Sequence, residues 1–307
     1  MTDKDETMED EINFLDMYRI IWKGKWVVFS STILITLLAI LYSLSLPNIY
    51  QSSAILSPNE KQNSMSAALE NYSGLASLAG VNIPTQANVD NASNAIVKMV
   101  TFSFFEDNLL PNIYLPNLLS VKSWNHQKNE LIYDGDIYDK ANEKWVRDFS
   151  YPQKQIPSAR ESFETFHEGN FSISEDKKTG FVTVSVKHYS PYIAKEWAQL
   201  IVNQINIFYS EKDRKQAEKS IDFLNTKIID ANFSEIKDLM AQLLKQEIQK
   251  LTLLEANKNY VFEFIDPPSV QEEKIEPQRA LICIFGFFIG VFIGITYLFL
   301  FNIKNNN

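Results

Sequence analysis

The residue types that most often carry out chemistry are scattered in this chain of 307 residues. The three histidines, His126, His167 and His188, have no HExxH spacing and no second histidine or cysteine three or four residues away. Isolated histidines of this kind most often serve in packing or lie on the surface. We therefore predict no metal site and no cofactor.

Signatures of nucleotide and nucleophile chemistry are also missing from the sequence. It has no GxxxxGK[ST] phosphate loop and no GxSxG nucleophile turn. A glycosidase needs only two carboxylates, but a single sequence does not distinguish such a pair from solvated surface groups. We predict no catalytic residue, and the chain is not expected to be an enzyme.

One regular spacing does stand out, and it concerns packing rather than catalysis. Gly286, Gly290 and Gly294 lie at i, i+4 and i+8, so a helix would carry all three on one side. A glycine face lets a second helix approach closely, which favours association in lipid. Ala39 and Ser43 are small, four residues apart, and candidate partners. The spacing leaves open which helix fills the groove.

These glycines lie in the second of two long apolar stretches. Residues 26–46 and 280–303 contain no charged residue, and each is long enough to cross a hydrocarbon core that needs about 20 residues. Buried core helices of that length normally keep a polar stripe. A cleavable signal sequence has a shorter apolar run and a basic leader. We predict two transmembrane helices.

Basic residues predict the orientation of the first helix. Arg19, Lys23 and Lys25 precede it, and positive flanks stay in the cytoplasm. We therefore expect a bacterial inner-membrane protein with both termini cytoplasmic. Residues 1–25 and 304–307 would be cytoplasmic, and residues 47–279 would form one periplasmic domain. The only cysteine, Cys283, lies in the second apolar stretch, so no intrachain disulfide can staple that domain.

Charge narrows the class of partner. The net charge is −9, and residues 47–279 contain 24 basic and 31 acidic residues. No basic patch stands out along the sequence, so nucleic acid is not an expected partner.

Local patterns predict α and β elements in the outer segment. Residues 111–157 show no sustained period and are assigned only short elements. The remaining predictions are a strand over 48–56, helices over 67–78 and 91–108, a helix over 160–167 opened by the capping box of Ser158 and Glu161, a hairpin of 170–175 with 180–188, and a last strand in YVFEFID.

Two long helices are predicted in the second half of that segment, over 191–229 and 235–256. The window 209–216 is polar all round, which indicates a helix projecting into solvent. Ile221 and Leu224 continue an apolar stripe beyond it and are a candidate oligomer face. The predicted fold class is α+β, with a mixed base near the membrane, long projecting helices, and strands from both ends of the segment meeting in the base.

The whole layout resembles the Wzz family of polysaccharide co-polymerases, the chain-length determinants. The resemblance rests on INFLDMYRIIWKGKW, YQSSAIL, the helix opening SPYIA, and the ending YVFEFIDPPSVQEEKIEPQRALICIFGFFIGVFIG. In that ending Pro267, Pro277 and the three glycines match the family's proline-rich lead into a glycine-containing membrane helix. Two departures are Asn13, where the family commonly has aspartate, and residues 271–273, where it often has a further proline.

The resemblance implies a non-catalytic regulator of surface polysaccharide chain length, such as that of the O-antigen of lipopolysaccharide. It implies a homo-oligomer that acts with a separate polymerase, and the growing lipid-linked polysaccharide is a further candidate partner. A related branch carries a cytoplasmic kinase domain, but only four residues follow residue 303 here. The polymerase and a neighbouring subunit join the first helix as candidates for the glycine groove.

Three rival interpretations share parts of this layout. A two-helix sensor needs a cytoplasmic output domain, and an anchored periplasmic hydrolase needs only one membrane helix. The alternative that stays open is an inner-membrane adaptor of a capsule or exopolysaccharide exporter, which shares the layout. A neighbouring flippase and polymerase gene would favour the chain-length determinant, and an ATP-driven exporter gene would favour the adaptor.

Overall fold

The computed structural model describes residues 22–59, 91–230 and 233–306. The described residues fall into two compact units, one made of residues 22–48 and 275–306 and the other of residues 49–274. The predicted helix over 67–78 lies outside the described residues, as does Arg19.

The helices and strands follow one another as a mixture of α and β elements. The helices are α1 (Lys25–Ser45), α2 (Asn91–Met99), α3 (Phe102–Phe104), α4 (Leu115–Leu119), α5 (Ala159–Thr165), α6 (Pro191–Asp230), α7 (Ser234–Ala256) and α8 (Arg279–Asn306). The strands are β1 (Tyr50–Pro58), β2 (Val121–Asn125), β3 (Glu130–Tyr133), β4 (Tyr138–Asp139), β5 (Lys144–Trp145), β6 (Phe171–Glu175), β7 (Val182–His188) and β8 (Phe262–Asp266). Turns of π-helix over Phe105–Leu109 and Phe166–Asn170 continue α3 and α5.

The first unit is a pair of helices, α1 and α8. Both are long and apolar enough to cross a membrane, and most of their apolar side chains are exposed. A core helix of a soluble protein would show the reverse. Arg279 Nη2 donates to Asn48 Oδ1 at 3.2 Å, so the end of α1 and the start of α8 lie together.

The second unit is built on a four-stranded antiparallel sheet in the order β6-β7-β1-β8. Strand β1 follows the first apolar helix and β8 comes near the end of the segment, so strands from both ends meet as predicted. The hairpin of β6 and β7 is also confirmed, and Gly180 in its turn has φ +71°. That value lies in the left-handed region that glycine adopts without strain.

One face of this sheet packs on the first half of α6. Val184 and Val186 of β7 and Leu56 of β1 are fully buried with Trp197 and Ile201 of α6 in a single core. The alternation of FVTVSV places its valines on this face. The projecting part of α6 packs against α7, so long helices and a mixed α/β layer are both present.

The junction between helix and sheet is fixed by Asn206 in the buried part of α6. Its Oδ1 accepts from the backbone N–H groups of Val261 and Phe262 at 2.7 and 2.9 Å, and its Nδ2 donates to Phe262 O at 3.0 Å. A buried amide with these bonds anchors the chain where it re-enters the sheet. Nearby, Tyr260 Oη donates to Asp213 Oδ2 at 2.5 Å, which ties the same segment to the next turns of α6.

The predicted helix over 91–108 is wrong in one respect, because it is broken. Helix α2 ends at Met99, and α3 begins after Thr101, whose Oγ1 accepts from Phe104 N at 3.3 Å. The cap starts a new helix with a new direction. By contrast, Ser158 caps α5 as predicted, because its Oγ accepts from Glu161 N at 3.2 Å.

Candidate functional site

The glycine face of α8 is filled by α1 of the same chain. At Gly286 an added Cβ would lie 2.5 Å from Ala39 Cβ, and at Gly290 it would lie 2.8 Å from Thr32 Cα. At Gly294 it would overlap Ser31 Oγ. Real side chains do not approach so closely, so each glycine is required by the contact itself.

A further glycine lies on the α1 side of the pair and faces a side chain of α8. An added Cβ at Gly24, just before α1, would fall on the terminal methyl groups of the flexible Leu298 side chain of α8. The close approach of the two helices runs from Gly286 to Gly294, roughly 12 Å at 1.5 Å per residue. Small residues give such a pair its van der Waals contact where lipid supplies no hydrophobic force.

Hydroxyl groups add polar contacts to the interface. Ser31 Oγ donates to Val28 O at 2.9 Å and lies 3.2 Å from Gly290 O on the other helix. Thr32 is buried and donates to Val28 O at 2.7 Å. Because Gly290 has no side chain, its carbonyl is accessible to Ser31, so the glycine face also creates the interhelical contact. Of the two predicted partners, Ala39 contacts Gly286, while Ser43 is buried in the same pair.

The candidate oligomer face of Ile221 and Leu224 is placed differently from the prediction. Helix α6 packs against α7, and Leu224 is only 9% exposed, with Ile221 half-buried beside it. The stripe is therefore used largely within the chain, and Leu224 is not open to a neighbouring copy. Sequence spacing identified the stripe but did not distinguish an intrachain partner from an interchain one.

Other apolar side chains on the same two helices do face outward. Phe223 is 60% exposed, one residue before the buried Leu224. Further exposed large apolar residues on and between the two helices include Ile207, Ile229, Phe233, Ile236, Ile248 and Leu253. No sequence signal marked Phe223, because it falls outside the regular stripe that the periodicity selects.

The two family prolines lie in different units. Pro267 follows β8 directly and is exposed, and the connector after it is held by Ser52 Oγ, which donates to Ser269 O at 2.7 Å. Pro277 precedes α8, and its carbonyl accepts from Arg279 N at 2.9 Å. Pro277 thus lies at the start of the helix that carries the glycine face.

The three histidines are separate from one another and lie in packing environments. His126 contacts the ring of Trp124, and His167 stacks on Phe163. His188 is buried: Ser190 N–H donates to Nδ1 at 2.9 Å, so Nε2 carries the proton and donates to Asn117 O at 2.9 Å. Burial lowers the pKa of His188 to about 4, which keeps the ring neutral. No group of three metal-binding side chains occurs among residues 22–59, 91–230 and 233–306.

The described residues therefore form a two-helix pair and, between those helices in the sequence, a mixed α/β unit with a long helical hairpin. Residues 10–101, which include α1, β1 and α2, match a family model described as Wzz, chain length determinant protein. The resemblance to the Wzz family is therefore confirmed over these residues, which are about a third of the chain.

Two solved structures of polysaccharide co-polymerases are also similar to this chain. A full-length bacterial polysaccharide co-polymerase has a TM-score of 0.41 and 14% identity, and the match covers 96% of this chain and 99% of that one. A fragment of WzzB, a polysaccharide co-polymerase from Salmonella Typhimurium, has a TM-score of 0.28 and 16% identity, covering 75% and 100%. No curated protein matches the sequence.

Proposed function

We propose that this chain is a non-catalytic regulator of surface polysaccharide length that acts with a separate polymerase. The observation that carries the proposal is the match of residues 10–101 to the chain length determinant family. The polysaccharide is of the O-antigen type, and the chain limits its growth as a scaffold without forming sugar bonds itself.

The two apolar helices support a location in the bacterial inner membrane. Lys23 and Lys25 lie at the start of α1, and positive flanks stay on the cytoplasmic side. Both termini are then cytoplasmic, and residues 47–279 are periplasmic. The outward apolar surface of α1 and α8 faces lipid, since it is exposed in the helix pair and unsuited to water.

The proposed active form is a homo-oligomer. Support comes from the exposed apolar side chains on the long helices, of which Phe223 and Ile248 are examples. Large apolar groups that recur along a solvent-facing hairpin indicate an interaction surface, whereas single exposed ones do not. Identical hairpins side by side would cover them.

Gene deletion and complementation test the proposal. In a strain that keeps its polymerase, deletion should convert a defined band of polysaccharide lengths into a broad, short distribution on a gel, and the wild-type gene should restore the band. Unchanged length after deletion would contradict the proposal. Loss of surface polysaccharide with normal length of the residual material would instead support an adaptor of an exporter.

A further inference from the structure

A groove of about 490 Å³ runs along the outer side of α6, near the start of its projecting part. Its lining combines apolar, amide and basic side chains with the carboxylate of Glu211. Besides Glu211, it includes Asn108, Ile207, Phe208, Lys212, Lys215 and Lys219.

The basic side of the groove is a row of three lysines on one helix face. Lys212, Lys215 and Lys219 lie at i, i+3 and i+7, and seven residues of helix span about 10 Å. Lys215 lies 3.8 Å from Glu211, an exposed pair that contributes little. In the part of the chain that the structure describes, Lys212 and Lys219 make no ion pair.

The lysines do not stand out in the sequence, because acidic residues are interleaved with them. Glu211 is part of the groove lining, whereas Asp213 and Glu218 are not. Asp213 faces the other way and accepts from Tyr260, and Glu218 lies 3.7 Å from Arg214. The groove therefore has three lysines against one glutamate, which gives a local excess of positive charge on a segment whose overall charge is negative.

The opposite side of the groove is apolar. Ile207 is 45% exposed, and the neighbouring Phe208 is half-buried, with Lys98 Nζ 4.9 Å from the centroid of its ring. Lys98 thus adds a fourth cation near the groove. A sugar ring presents an apolar C–H face and polar edges, so an apolar wall beside a row of cations suits a saccharide that bears acidic groups.

We propose that this groove binds an anionic polysaccharide, with its carboxylates or phosphates on Lys212, Lys215 and Lys219 and its sugar faces against Ile207. The row is longer than a small anion can span, which favours a polymer. The choice of a saccharide rests on the proposed function, whereas the preference for an acidic polymer rests on the groove itself.

Binding is measured with the full chain in nanodiscs of phosphatidylcholine, which has no net charge to compete. Polygalacturonate is the acidic sugar probe, dextran the neutral sugar and polyglutamate the acidic polymer without sugar. We expect polygalacturonate to bind most tightly of the three, and its affinity to fall as the salt concentration rises. Replacing Lys212, Lys215 and Lys219 by Gln should lower its affinity at least roughly tenfold.

The matched control replaces Lys195, Lys227 and Lys237 by Gln, which removes the same charge from exposed positions outside the groove. It should leave the affinity within about twofold of wild type. Ile207→Ser should weaken polygalacturonate binding and leave polyglutamate binding unchanged.

Two results would overturn the inference: equal losses in both triple variants, or equal binding of polyglutamate and polygalacturonate. Because these assays contain no polymerase and no growing chain, their failure would leave the proposed length control untouched. A normal response to gene deletion together with no polygalacturonate binding would reject the groove alone.

Discussion

Ala39 Cβ occupies the space that a side chain at Gly286 would need, since the two atoms would lie 2.5 Å apart. Ala39 is on α1 and Gly286 on α8, so one methyl group is allowed at this crossing and the sequence places it on α1. After Ala39 Cβ, the nearest atoms are backbone atoms of Ile35 and Thr36, both at 3.8 Å. That is an ordinary contact distance, so a methyl group at position 286 would fit if Ala39 lost its own methyl group.

Exchanging the two residues is the first prediction. Gly286→Ala alone should separate the helices and reduce a disulfide crosslink engineered between α1 and α8 several-fold. Adding Ala39→Gly removes the blocking methyl group and should restore the crosslink and the polysaccharide band. Failure of the double variant to recover would contradict the intrachain contact.

Gly290 provides the control for that exchange. A methyl group there would lie 2.8 Å from Thr32 Cα and 3.2 Å from Thr32 O, which are backbone atoms. No side-chain change on α1 can make room for it. Gly290→Ala should therefore disrupt the pair, and Ala39→Gly should not rescue it; rescue would show a looser helix contact than the structure has.

Adjacent residues of α6 should have separable effects. Leu224→Ala removes buried methyl groups and should lower the free energy of unfolding by about 2 kcal/mol. Phe223→Ala changes an exposed side chain, so stability should stay within about 0.5 kcal/mol while the fraction of crosslinked oligomer falls. Denaturant unfolding and crosslinking of the full chain in detergent measure the two effects. The reverse assignment of effects would contradict the inward placement of Leu224.

Acid should weaken the fold through His188. Its pKa is about 4 in the fold, against about 6.5 for an ordinary histidine, because burial disfavours the charged ring. The unfolded chain therefore binds more protons between these values. The group's stabilising effect is complete above pH 6.5 and is lost as pH falls toward 4, by about 3 kcal/mol in total.

The check on this pH effect is the unfolding free energy of the full chain at several pH values. His188→Gln keeps a side chain with donor and acceptor groups but does not titrate, so its stability should change less between pH 6.5 and pH 4. His126→Gln, at an exposed position, should keep the wild-type pH slope. Identical slopes in all three proteins would exclude His188 as the titrating group.

Topology is tested with reporters of compartment. A phosphatase fused after Ile303 should be inactive and one inserted near Asn88 active, because Lys23 and Lys25 hold the start of α1 in the cytoplasm. An active reporter after Ile303 together with an inactive one near Asn88 would reject the proposed orientation. Replacing Lys23 and Lys25 by Gln should reduce activity at the Asn88 insertion by allowing part of the chain to insert in the opposite direction.

Elements with a periodic pattern sustained over many residues were predictable from the sequence. Elements that depend on contacts between distant residues were not. The helix over 191–229 and the β6–β7 hairpin have strong periodic patterns, and the structure has helix and hairpin there. The break at Thr101 was invisible because apolar residues keep a helical spacing on both sides of it. A cap is a single hydrogen bond, and threonine also occurs within helices.

Residues 111–157 show the same limit in another form. Strands β2 to β5 are two to five residues long, too short to establish a period. This region is fixed by contacts such as the bidentate pairing of Arg147 with Glu161, which also lowers the pKa of Glu161. The sequence shows both charges but not their pairing. Likewise, it showed the glycine spacing but not that α1 fills the groove.

The three hydrogen bonds of Asn206 give the long hairpin a common point of departure and return. The chain leaves at this residue and comes back to it 56 positions later, at Phe262. Seven residues added to each of α6 and α7 would move the tip outward by about 10 Å and nearly preserve the facing sides. Closing the longer loop would cost only about 0.2 kcal/mol. The length of the hairpin can thus vary, in evolution or by design, without changing the hydrogen bonds of Asn206 that anchor it to the sheet.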